Sequence, residues 1–276
     1  MLSSSENFER SGEIRKQVCA HLERLIPFAI GKSEAWLSDS LQQALADDQT
    51  IYTDGWYQPP PHGIAILTSS TSGYSRLNFD TLRSSDYWPS TEPILNSSVV
   101  IIYVSPVCRR TLLLGDLGCT LYFGSDQKVR THFELCHRVM RNARKKMEIG
   151  MEVREVHSLF MGSFAEHNLD NLRTVSLNDP AKTNIGHTIP FSGAPEESQR
   201  ELSLVDNADW FHQISFRRKF ISSRETALIP REGGFTIEAS LVNRKDRTLP
   251  SVLVYSLVYS IAGKLHFIDE IPRVSR

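Results

Sequence analysis

Apolar residues recur at helical spacing over residues 6–28, with Ile14, Val18, Leu22 and Leu25 on one side, the pattern of an amphipathic helix. Pro27 is expected to close it. Beyond Ile30-Gly31, Ser33 is placed to cap a second helix whose apolar positions are Ala35, Leu37, Leu41 and Leu45. From 50 to 124 the texture changes to short β-rich runs at 63–69, 97–106 and 111–124, punctuated by Pro59–Pro61 and Ser/Thr/Gly clusters, which predicts hairpins. Helical periodicity returns over 127–148, with Val129, Phe133, Cys136, Val139, Met140 and Ala143 on one face. Ile149-Gly150 and a helix over 153–164 follow. A polar stretch (166–183) and a loop-rich one (191–212) lead to strands at 235–242 and 251–268, the latter alternating and turning at Ala262-Gly263.

Ile30-Gly31 and Ile149-Gly150 each join a long amphipathic helix to a shorter one and precede β hairpins, 119 positions apart. The chain therefore reads as two helix–helix–β halves, 1–124 and 125–276, in one α+β domain. Composition changes this picture little. Of 276 residues, 40% are hydrophobic, and 31 Lys and Arg face 32 Asp and Glu for a net charge of −1. That balance removes the electrostatic motive for nucleic-acid binding. The longest apolar runs are strand-length, short of the ~20 residues of a membrane span, and residues 1–16 lack a signal-peptide core. Cys19, Cys108, Cys119 and Cys136 are not closely spaced, so a cytoplasmic protein without disulfides is expected.

Two motifs stand in order in the second half: Ile185-Gly186-His187-Thr188-Ile189-Pro190 and Gly234-Phe235-Thr236-Ile237-Glu238. With Gly115-Asp116 in the first half, they resemble the pita-bread family of creatinases and metallo-aminopeptidases, which includes methionine aminopeptidase, prolidase and aminopeptidase P. The stretches 145–156 and 84–106 are similar to the family's helix–Gly–helix connection and its approach to the first ligand. The resemblance implies the pita-bread fold, a curved antiparallel sheet flanked by helices in pseudo-symmetric halves, and a homodimer. It also implies a small-molecule substrate, C–N bond hydrolysis, and metal ligation by Asp116, His187 and Glu238. Two carboxylates and a neutral imidazole suit one divalent ion such as Fe, Mn, Co or Zn. Spacings of 71 and 51 residues leave their convergence to the fold.

The departures from the family pattern narrow the chemistry. Its first Asp falls within 101–105, where Tyr103 is the matching position, and its last Glu falls on Val254 beside Tyr255. No acidic residue lies between Thr248 and Lys264, and a family histidine is replaced within Asp86-Tyr87-Trp88-Pro89. A two-metal centre needs bridging carboxylates, so a dinuclear centre is not expected. Three readings stand side by side. One is a C–N hydrolase without two-metal chemistry, His187 acting as base or acid with Glu238 and Tyr103. Another is a mononuclear Fe(II) or Mn(II) enzyme doing a non-hydrolytic, dioxygen-dependent reaction. The third is a catalytically silent binding module. The phenols of Tyr103 and Tyr255 suit acid catalysis or simply fill a vacated pocket. Residues 54–63 offer a rim over the cleft or a stiff proline-rich connection. Arg76, Arg83, Arg217, Arg218 and Arg224 read as surface ion-pair members or as groups holding a substrate carboxylate, and His212 as a candidate second cleft histidine.

Overall fold

The computed structural model describes residues 4–52, 64–70, 73–77, 89–109, 113–172, 184–189 and 218–273. Helix α1 (Ser4–Ala29) buries Ile14, Val18, Leu22 and Ile26. It runs through Pro27 rather than ending there. The proline removes one amide donor near the exposed Glu23, while the last turn buries Ile26 and Ala29. Ser33 caps α2 (Glu34–Ala46), its Oγ accepting the Trp36 amide at 3.1 Å. Leu37, Leu41 and Leu45 are buried as expected, but Ala35 is only half-buried and the fully buried first-turn residue is Glu34. Its carboxylate accepts the amides of Thr68 and Ser90 and pairs with Arg76 at 2.9 Å. Arg76 thus serves an ion pair, one of the two readings of that residue, with an internal partner rather than a surface one. A buried carboxylate without such a partner would carry a large desolvation cost.

Strands β2 (Ile64–Thr68), β3 (Val99–Val104) and β5 (Leu117–Tyr122) form one antiparallel sheet in that order. Short β1 (Ile51–Tyr52) and β4 (Val107–Cys108) pair beside it. Helices α3 (Gln127–Arg144) and α4 (Val153–Glu166) open the second half. They are followed by β6 (Leu169–Leu172), β7 (Thr188–Ile189), β8 (Gly233–Asn243), β9 (Val252–Ile261) and β10 (Lys264–Ile268). Their sheet runs β10-β9-β8-β6, with β7 also on β8, all antiparallel. Helices cover one face of each sheet. Ile66, Val100, Ile102 and Cys119 meet α1 and α2, and Ile237, Ala239, Val254 and Val258 meet α3 and α4. The opposite faces meet each other through Leu67, Ile101, Tyr103, Leu253, Tyr255, Leu257 and Tyr259. The Leu253 amide donates to Thr120 Oγ1 at 2.7 Å where β9 reaches β5. Strand β9 is therefore buried on both faces from Val252 to Ser260 instead of showing one wet face.

The two helix–Gly–helix junctions match in backbone detail. Gly31 and Gly150 take φ of 82° and 84°, and donate to Ile94 O (2.7 Å) and Ile229 O (3.0 Å). Ile94 and Ile229 return bonds to Lys32 O and Met151 O, and the Glu34 and Val153 amides reach Glu92 O and Ala227 O. Each pair of helix-start positions is 119 residues apart. No described helix is long and apolar enough to cross a membrane. All four cysteines are buried thiols outside any disulfide.

Candidate functional site

The inner layer between the two sheets collects the polar side chains that the strand period sends inward. On β3 that period points Tyr103 into the layer, and Asp116, directly before β5, is fully buried beneath it. Gly118 is the register partner of Tyr103, and a Cβ there would stand 2.9 Å from a Tyr255 ring carbon, so glycine lets the two tyrosine-bearing strands approach. Their rings meet edge-on at 6.4 Å. Of the two positions weighed for the missing carboxylate, Val254 faces the helices and Tyr255 faces the layer.

Each Asp116 oxygen accepts a hydroxyl. Ser105 Oγ donates to Oδ1 at 2.6 Å, and Tyr255 Oη donates to Oδ2 at 2.8 Å. Burial pushes the Asp116 pKa up to about 6, against the pull of those two bonds and of the Arg218 and Arg15 charges. Arg15 is a residue that the sequence reading passed over. It leaves α1 fully buried and donates to three main-chain carbonyls: Glu270 (2.9 Å), Asp116 (2.9 Å) and Tyr255 (3.4 Å). Its guanidinium lies 5.6 Å from the Tyr255 ring centre. A signal was present: Ser11 and Arg15 share the helical stripe of Val18 and Leu22. Ser11 Oγ meets Tyr259 Oη at 2.7 Å, so this stripe carries the polar contacts from α1 to β9.

His187 sits in the turn before β7, 1% exposed. Its amide donates to Thr236 Oγ1 (3.0 Å) and its carbonyl accepts from the Thr236 amide (2.8 Å). Nδ1 lies 2.9 Å from Thr188 O. A carbonyl only accepts, so this contact assigns the proton to Nδ1 and leaves the Nε2 lone pair. Burial, then the Arg218 charge, hold the His187 pKa well below its usual value, so the ring is neutral at pH 7. Glu238 lies on β8 opposite Tyr255, 6% exposed, its amide donating to Ile185 O at 2.8 Å.

Asp116, His187 and Glu238 thus all belong to this buried layer. Yet among the described residues no three His, Cys, Asp or Glu side chains are grouped so as to hold a metal ion. Both Asp116 oxygens already accept hydroxyls. As folded, these side chains are not drawn together into a ready-made metal site. Among the other candidates, Arg218 is buried and Arg224 is exposed at the surface. Arg83, Arg217, His212 and the rim 54–63 lie outside the described residues.

No family model and no curated protein matches this sequence. Solved structures do match in three dimensions. The methionine aminopeptidase of Rickettsia prowazekii superposes with a TM-score of 0.62 at 12% identity, over 96% of this chain and 98% of that one. The chain has the pita-bread fold. The X-Pro aminopeptidase of Thermotoga maritima (TM-score 0.62, 13% identity) is matched over 98% of this chain and 62% of its own length. The prolidase of Pyrococcus furiosus (TM-score 0.59, 15% identity) is matched over 95% and 64%. This chain thus spans somewhat under two thirds of those longer pita-bread proteins.

The titration of Asp116 is measurable. A carboxyl whose pKa rises from 3.8 to about 6 on folding contributes stability that is present below pH 4 and lost as the pH climbs through 6. The loss amounts to about 3 kcal/mol at roughly 1.4 kcal/mol per unit. His187, depressed, contributes the opposite slope, present above pH 6.5 and lost as the pH falls toward its folded pKa. In Asp116→Asn the amide still bonds both hydroxyls, and the loss between pH 4 and 6 is expected to disappear. Urea unfolding across that range checks this, and an unchanged slope would discredit the assignment.

Proposed function

We propose that this chain cleaves a C–N bond in a small amide or amino-acid-derived molecule by acid–base chemistry without a metal ion. One observation carries the reading: His187 is buried, neutral and holds its Nε2 lone pair, with Nδ1 committed to Thr188 O. Such an imidazole accepts a proton from an attacking water at neutral pH. The water oxygen bonds to the amide carbon, the C–N bond breaks and the proton passes to the leaving nitrogen. Tyr103 and Glu238 are the inner-layer groups assigned to its return. The pita-bread neighbours are aminopeptidases and a prolidase, which points to hydrolysis as the inherited reaction. A mononuclear dioxygen-using centre on Asp116, His187 and Glu238 finds no support in the donor set as folded.

The test is a panel of dipeptides and N-substituted amino-acid amides, followed by mass spectrometry with chelator present throughout. Turnover unaffected by chelator and reduced roughly 10²- to 10⁴-fold in His187→Gln is expected. Turnover that appears only after metal loading would refute it. One observation favours a second reading, a binding module without chemistry. Tyr103, Asp116, His187, Glu238 and Tyr255 are each no more than 6% exposed, so Tyr103 and Tyr255 pack the layer shut. Saturable binding of a panel member without product identifies that case.

A further inference from the structure

Beside the Glu34–Arg76 pair, the buried Asp, Glu, Lys and Arg residues among those described are four: Arg15, Asp116, Arg218 and Glu238. They are two guanidiniums and two carboxylates, in balance without any ion. Arg15 is committed to the Asp116, Tyr255 and Glu270 carbonyls. Arg218 occupies the histidine side. Its segment runs beside 185–189, with Ile185 N on Ile221 O (2.9 Å) and Thr188 N on Lys219 O (2.9 Å). His187 bridges directly to Phe220. The Phe220 ring takes His187 at 6.5 Å and the Arg218 guanidinium at 5.5 Å, so the cation and the imidazole share one aromatic neighbour.

We propose that Arg218 is a resident cation that takes the electrostatic place of a metal ion, neutralising the inner-layer carboxylates and excluding divalent cations from Asp116, His187 and Glu238. A divalent ion entering a balanced buried set leaves two uncompensated positive charges there and stands close to a guanidinium that cannot deprotonate. The field of Arg218 acts on both Asp116 and His187, favouring the carboxylate and disfavouring the imidazolium. The inference deepens the metal-independent reading but does not need turnover, since it holds equally for a silent binding module.

The experiment measures metal content and thermal stability of the full chain after stripping with chelator and loading with Mn(II), Co(II) or Zn(II). Wild type is expected to retain no stoichiometric metal and to show the same melting temperature with and without chelator. Arg218→Met keeps the stem and deletes the charge. It is expected to melt lower, to bind one of the three ions, and to lose that binding when His187→Ala is added. Arg218→Lys should still exclude metal. If Arg218→Met is too unstable to purify, pairing it with Glu238→Gln, which rebalances the layer, should restore folding. Wild type binding an equivalent that His187→Ala abolishes would overturn the proposal. So would a folded Arg218→Met that stays metal-free, or instability that neither metal nor Glu238→Gln repairs.

Discussion

Gly186→Ala is expected to destabilise the protein by on the order of 4 kcal/mol, from overpacking and backbone strain acting together. Gly186 holds φ at 140°, and a Cβ built there would stand 2.0 Å from the carbonyl oxygen of Thr236 and 2.7 Å from its carbonyl carbon. The obstacle is main chain in the middle of β8, so no rotamer change relieves it. Moving Thr236 would also break its amide's bond to His187 O and its hydroxyl's bond to the His187 amide, at 2.8 and 3.0 Å. The variant should therefore lose the His187 geometry along with stability. Against a typical total of about 5–15 kcal/mol, the urea midpoint should fall steeply. A midpoint equal to wild type would show that the 185–189 turn is not held as described.

The second large effect belongs to Arg15. Arg15→Met keeps most of the stem volume but strips the donors from the Asp116, Tyr255 and Glu270 carbonyls. It also removes one of the two cations that balance Asp116 and Glu238. Removing one member of a buried charged set costs about 3–5 kcal/mol, and that loss is expected in denaturant unfolding. Arg15→Lys should recover little of it, because an ammonium is a point charge and cannot span carbonyls on three separate segments as a planar guanidinium does. Asp116 offers a second readout. Without Arg15 its carboxyl should titrate higher still, moving the acid-side stability slope to higher pH. Stability and slope both unchanged would show that Arg15 is a bystander.

These residues also mark what could be read along the chain. The helices were legible because burying one face leaves a 3.6-residue imprint: Ile14, Val18 and Leu22, then Leu37, Leu41 and Leu45, all end buried. The likeness of the two helix–Gly–helix junctions was legible because Gly31 and Gly150 each adopt a positive φ. Ordered motifs around Asp116, His187 and Glu238 pointed to the pita-bread fold, and superposition on solved structures shows it. Arg15 was half-legible, a charge on an apolar stripe whose acceptors lie 101, 240 and 255 positions away. The partner of Arg76 was not legible, because Glu34 is 42 positions distant and ion pairing across such a gap leaves no local trace.

The chain by itself determined its main helices and strands, its paired Ile-Gly junctions and the chemical types in the layer, since periodicity and backbone-constrained glycines are local properties. It also determined that the carboxylates expected near Tyr103 and Tyr255 are absent. Only the tertiary structure decided what the remaining groups do. Strand parity turned Tyr255 inward and Val254 outward, and Tyr255 together with Ser105 engaged both oxygens of Asp116. Closure of two sheets on each other withdrew water, setting the Asp116 and His187 pKa values and making two arginines the counterions. Desolvation and charge balance are sums over everything packed around a group, and the packing exists only in the folded chain.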